Sequence, residues 1–174
     1  MKLTIKIFGV IIGLLFIIYI IGLFLPKDVL IKKQTLIEKP FFIVWSDLTN
    51  PFEEPNWRND IDTIIQLNDI DGNTVWKEIY NNGDSIILET TTNIPNVLIA
   101  RSYVNNSNFD GSRIINIKKT QKGTYVRIVL EGKFPHAIDR IMNLFNNKEE
   151  KRIGIYLHNL KEKYKKEAEE DDAW

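Results

Sequence analysis

The chain has 174 residues, 44% hydrophobic and 11% aromatic, which suits one domain with a real core and excludes a disordered chain. Its 23 basic and 23 acidic residues cancel and form no Lys/Arg stripe interleaved with aromatics, so nothing recommends nucleic acid as a partner. The absence of cysteine removes disulfides, thiolate nucleophiles and Cys-bound metals, and leaves the compartment open.

Residues 7–25, IFGVIIGLLFIIYIIGLFL, carry no charge. As a helix they span about 28 Å, close to the hydrocarbon thickness of a bilayer. A cleaved signal peptide competes, but its apolar region is shorter and ends at a small-x-small site, whereas this run ends in Leu-Pro-Lys. The expectation is therefore a single-pass membrane protein with an uncleaved anchor. Lys2 and Lys6 precede the span and Lys27, Lys32, Lys33 and Lys39 follow it, so the side of the soluble domain stays undetermined. Asn105-Asn106-Ser107 is a formal glycosylation sequon, read as coincidence in an Asn-rich chain.

Residues 28–38, DVLIKKQTLIE, read as a strand that leaves the membrane almost without a linker. Pro40 suits a helix start, with Phe41, Val44, Trp45 and Leu48 on one face, and Asn50-Pro51 and Pro55 end that helix. In the stretch LTNPFEEPNWRNDI, Trp57 is expected to plug one end of the core and Glu53 and Glu54 to be solvated. Arg58 and Asp60 remain possible residues of a cavity mouth. From 58 to 134, Asp-Gly, Asn-Gly and other Asn/Gly turns punctuate runs rich in β-branched and aromatic residues, an antiparallel meander of about six strands. After Pro135 the period turns helical: a short apolar face at Ile138, Ile141, Met142 and Phe145, a polar break at 146–148, then a long helix with Ile153, Tyr156, Leu157, Leu160 and Tyr164. The divisions expected are an anchor at 1–27, a folded domain at 28–166 and a frayed acidic tail at 167–174, in which Trp174 has no assignable role.

One long helix stripe covers one face of a meander, so an α+β helix-grip arrangement is expected: a curved antiparallel sheet wrapped around the C-terminal helix, with a cavity between them. The run TLIEKPFFIVWSDLTNPFEEPNWRNDI resembles the opening of the SRPBCC superfamily, which includes START-like, polyketide cyclase/dehydrase and lipid-transport proteins. Later spacing agrees: Trp-x-Glu at Trp76 and Glu78, Phe-x-Gly-Ser from Phe109 to Ser112, Gly-Thr-x-Val-x-Ile from Gly123, and Tyr-Leu-x-x-Leu-Lys from Tyr156. The likeness covers nearly all of 28–165 and extends to the Leu-Pro-Lys-Asp junction of membrane-anchored members. It implies a lipid or other apolar small molecule as ligand, and it does not specify an activity.

The residues themselves offer no metal centre, since His136 and His158 are the only histidines and lack a third ligand; His136 reads as a helix-start residue and His158 as solvated. No Gly-x-Ser-x-Gly elbow, triad framework or phosphate loop is present, and no cofactor is expected. The candidates for lining a ligand cavity are Trp57, Trp76, Glu78, Tyr80, Glu89, Arg101, Tyr103, Phe109 and Arg127, with Arg113 and Glu131 as further strand charges. In TVWKEIY both alternating sets contain apolar residues, so strand parity does not choose which set faces inward. The expected function is a membrane-anchored module that binds an apolar ligand without catalysis. The alternatives are a cyclase- or hydratase-like enzyme using a cavity Glu of raised pKa as general base, and a ligandless envelope-associated interaction protein whose protein partner is unknown.

Overall fold

The structure, a computed structural model, describes residues 2–171; Trp174 and the last residues of the acidic tail lie outside the described residues. Helix α1 (Lys2–Phe24) is followed by β1 (Asp28–Ile37), α2 (Phe41–Thr49) and a 3₁₀ turn (Pro51–Asn56). Six strands come next: β2 (Ile61–Gln66), β3 (Val75–Tyr80), β4 (Ser85–Ile94), β5 (Leu98–Val104), β6 (Asp110–Thr120) and β7 (Gly123–Lys133). Helices α3 (Ala137–Asn146) and α4 (Lys148–Asp171) close the chain. The expected tail is thus helical as far as Asp171, continuing α4 without a break.

All seven strands form one antiparallel sheet in the order β1-β7-β6-β5-β4-β3-β2. Hairpins join each neighbour from β2 to β7, and β1 closes the order by pairing along its whole length with β7, Asp28 to Lys133 through Ile37 to Thr124. The turns obey the chemistry of positive φ: Asp71, Gly72, Gly83, Asn96, Asn105 and Gly123 all adopt it. Gly123 is required twice over, because a Cβ there would also stand 2.2 Å from the Ile37 carbonyl oxygen.

One face of the sheet is packed. Ile37, Leu88, Ile99, Ile115, Val126, Ile128 and Leu130 are buried on it, and α4 lays Ile153, Tyr156, Leu157, Leu160 and Tyr164 against them. Val44 and Leu48 of α2 cover the same core from the other end. Asn147 separates α3 from α4 in the left-handed conformation, its amide bonding the Asn143 carbonyl, so the polar break ends one helix and turns the chain into the next.

Helix α1 stands apart from this core. Its segment Lys6–Phe24 has a mean hydropathy of 2.9 and is 6% buried, so it is long and apolar enough to cross a membrane and is not a core helix of this domain. It touches the domain at its C-terminal end, where Gly22 packs against Ala137 and Ile141 of α3. Arg140 fastens that contact: its guanidinium donates to the carbonyls of Gly22 and Leu23 at 3.3 and 3.4 Å, and to those of Phe134 and Pro135 at 3.1 and 2.7 Å. A cation at a helix C-terminus satisfies carbonyls that lack an intrahelical partner.

Candidate functional site

Strand alternation sends Trp76, Glu78 and Tyr80 of β3 to the packed face, together with Arg101 and Tyr103 of β5 and Arg113 of β6. The apolar core between sheet and α4 therefore also encloses a set of charged side chains. Glu54, in the 3₁₀ turn, is fully buried, contrary to its expected solvation. Prolines at both ends of that turn point it inward, where its carboxylate accepts from Arg101 Nη1 and Arg58 Nη1, each at 2.7 Å, and from the Tyr156 hydroxyl at 3.2 Å. Glu53, its neighbour, is exposed.

Arg58 is also an interior residue and not a mouth residue, being 2% exposed. It grips Asp60 with two nitrogens, Nε to Oδ1 at 3.2 Å and Nη2 to Oδ2 at 2.7 Å, and reaches Glu78 Oε2 at 3.4 Å. Glu78 accepts in addition from the Tyr80 hydroxyl at 2.7 Å. Arg101 donates its second Nη to the Leu48 carbonyl at 2.7 Å, tying α2 to the sheet. Three guanidiniums, Arg58, Arg101 and Arg113, thus meet three carboxylates, Glu54, Asp60 and Glu78, and aromatic rings stack over the cations: Trp76 on Arg101 and Tyr156 on Arg58, both at 5.0 Å.

This network sets the protonation states. Burial alone would raise the Glu78 pKa, but the positive charges of Arg58 and Arg113 outweigh it and bring the carboxyl down to about 2. That direction is opposite to the raised value expected of a general base. Burial pushes the Tyr80, Tyr103 and Tyr156 phenols up, so they remain protonated donors. Glu78 Oε1, Arg113 Nη1 and Nε, Arg101 Nε and Trp76 Nε1 have no hydrogen-bond partner among the described residues, and Glu78 Oε1 and Arg113 Nη1 face each other across 3.9 Å.

A second polar chain leads outward. Tyr103, contacted by Arg113 at 3.4 Å, donates to Glu149 at 2.6 Å, and Glu149 pairs with Arg152, which lies over the Tyr80 ring at 4.4 Å. Glu149 and Arg152 reach a cleft of about 500 Å³ bounded by the 104–109 loop, α3 and the start of α4. Its apolar lining is Ile86, Phe109, Phe134 and Met142, and Asp139, Asn143 and Asn146 supply a polar side. Phe109 is held edge-on to Tyr103 at 4.9 Å, in space left by the cross-strand pair Gly111 and Gly132.

Of the candidates read from sequence, Trp76, Glu78, Tyr80, Arg101, Tyr103 and Phe109 are thus brought together on the packed face. Trp57 is half-buried at one end, edge-on to Tyr156 at 5.3 Å. Glu89 and Arg127 are placed elsewhere: each alternates with buried neighbours and projects from the outer face, Glu89 bonded by Asn73 at 2.7 Å and Arg127 exposed, as is Glu131. His136 occupies the N-cap position of α3 and His158 an exposed position of α4. Glu54, Arg140, Glu149 and Arg152 were missed as partners.

Three solved structures share the backbone fold. The Zhui aromatase/cyclase from Streptomyces sp. R1128 superposes with a TM-score of 0.67 at 11% identity, over 81% of this chain and 96% of that one. A START superfamily protein from Mycobacterium smegmatis gives 0.61 at 10% identity over 79% and 97%. The fold is a START-like helix grip. The di-domain ARO/CYC StfQ of the steffimycin pathway gives 0.63 at 8% identity, over 82% of this chain, which spans only 52% of that protein. No protein-family profile matches the chain, and no curated protein matches it. Between the sheet and α4 this chain encloses its own ion network, and the cleft reached by Glu149 and Arg152 lies at the α3 end.

Proposed function

We propose that the protein is a membrane-anchored binding module that holds a lipid or similar apolar molecule with a polar head in the cleft beside α3. The cleft carries the proposal: it joins an aromatic and aliphatic wall of Phe109, Phe134, Ile86 and Met142 to the Glu149–Arg152 pair, a combination that suits an amphiphile. The anchor is supported by the length and apolarity of α1 and by Arg140, whose hydrogen bonds to Gly22 and Leu23 a cleaved leader would remove. A cyclase- or hydratase-type enzyme is the alternative, in line with the Zhui likeness. It needs a carboxylate that titrates near neutrality, and Glu78 is far below that.

The test is native mass spectrometry of the full chain, purified in detergent from a lipid-rich host, followed by titration with a fatty acid and a phospholipid. Bound lipid, reduced by Asn143→Trp in the cleft wall, is the expected result. A chain that is empty and binds neither probe overturns the carrier, and a probe recovered chemically altered transfers the reading to an enzyme.

A further inference from the structure

Helix α3 divides its surface three ways. Ala137 and Ile141 face the end of α1, while Asp139, Asn143 and Asn146 turn to the cleft. The remaining apolar residues Ile138, Met142, Leu144 and Phe145 are 53, 51, 60 and 76% exposed; Ile138, Met142 and Phe145 share one face, and Leu144 lies on the side of Ala137. Four large apolar side chains so exposed on a ten-residue helix are a poor match to water. Its one basic residue, Arg140, is spent on backbone carbonyls, so the apolar face carries no cation of its own.

What covers this face is indicated by its neighbour. Gly22 is buried against α3, and the next residues of α1, Leu23 and Phe24, are exposed and apolar, so the surface of the spanning helix runs directly into that of α3. Lys27 immediately precedes β1 beside this junction, where Phe134 N–H bonds its carbonyl at 2.9 Å; Lys133, opposite Asp28, pairs with Asp110 at 3.0 Å. An apolar helix face adjoining a membrane span, with Lys27 at the end of that span, matches the boundary between acyl chains and headgroups.

We infer that α3 lies on the bilayer surface with Ile138, Met142 and Phe145 in the acyl boundary, so that the cleft opens onto lipid headgroups. The inference rests on α1 being a membrane span, and it narrows the ligand source to the leaflet itself. Met142 belongs to both surfaces, lining the cleft and facing the bilayer, and marks the point of entry.

The lack of native cysteine permits a direct test. The full chain is reconstituted in phosphatidylcholine/phosphatidylglycerol vesicles with a polarity-sensitive fluorophore on single substitutions: Ile138→Cys, Met142→Cys and Phe145→Cys in α3, Ile17→Cys in α1, and Lys161→Cys on the exposed side of α4. The α3 probes are expected to shift to the blue and to lose intensity with brominated lipid, as the Ile17 probe does, while the Lys161 probe does neither. Quenching at Ile17 with aqueous, unquenched α3 probes overturns the α3 placement and leaves the anchor standing. Unquenched probes at all positions overturn both. Disulfide-linked dimers through Phe145→Cys without quenching make the face a contact between copies and also overturn it.

Discussion

Glu78 shows how a single residue is read differently in a chain and in a fold. Its carboxylate is surrounded by Arg58, Arg113 and the Tyr80 hydroxyl, at zero exposure. Removing the charge while keeping the shape, as in Glu78→Gln, leaves buried Arg113 without its counter-charge, while Arg58 keeps Glu54 and Asp60. Breaking a buried pair in this way costs roughly 3–5 kcal/mol. Urea unfolding is expected to show that loss, whereas Arg127→Gln on the outer face is expected to stay within about 0.5 kcal/mol. The pH dependence follows from the same contacts. Because the folded pKa is depressed, the stability contributed by Glu78 is fully present above its ordinary value of 4.5 and is lost as pH falls towards about 2. Thermal melts of the wild type are expected to fall steeply through that acidic window, and those of Glu78→Gln to fall less.

At the scale of elements, the sheet was legible because its turns are chemical: Asp71-Gly72 and Lys122-Gly123 are turns that few other residues could make, and they set the hairpins. The inward charges were not legible, because Glu78 shares its parity with Trp76 and Tyr80 while the opposite set holds Val75 and Ile79, so both faces carry apolar residues. A usable signal existed across strands: Arg101 lies between Ile99 and Tyr103, and Arg113 precedes Ile115 and Ile117 at the same two-residue spacing, so both arginines belong to an apolar face. Glu54 gave no such signal, since a Pro-bounded turn has no period to read. The glycine pair Gly111 and Gly132 is another element-scale feature. A Cβ at Gly132 would stand 2.6 Å from the Phe109 ring and 2.5 Å from the Asp110 carbonyl oxygen. Gly132→Ala is therefore expected to cost about 1–3 kcal/mol in urea unfolding and to push Phe109 towards the cleft, with loss of any lipid bound there.

For the whole molecule, the decisive joint is the one between the apolar helix and the domain, since it fixes where the cleft sits relative to α1. Gly22 makes that joint possible: a Cβ there would meet the Ala137 carbonyl oxygen at 2.6 Å and Ile141 Cδ1 at 2.7 Å. Gly22→Leu adds a side chain where even one carbon does not fit, so α1 and α3 must separate and Arg140 must release the Gly22 and Leu23 carbonyls. The sheet and α4 do not depend on this contact, because their hydrophobic core includes no residue of α1 or α3. The domain should remain folded while α3 opens more often. An overpacking cost of about 1–3 kcal/mol confined to this joint corresponds to roughly 5- to 150-fold faster local opening. Hydrogen exchange of the full chain in lipid nanodiscs is expected to show that acceleration at amides of Ala137–Asn146, with the amides of β6 and β7 unchanged. Uniform acceleration across the sheet would instead mean that α1 supports the entire fold.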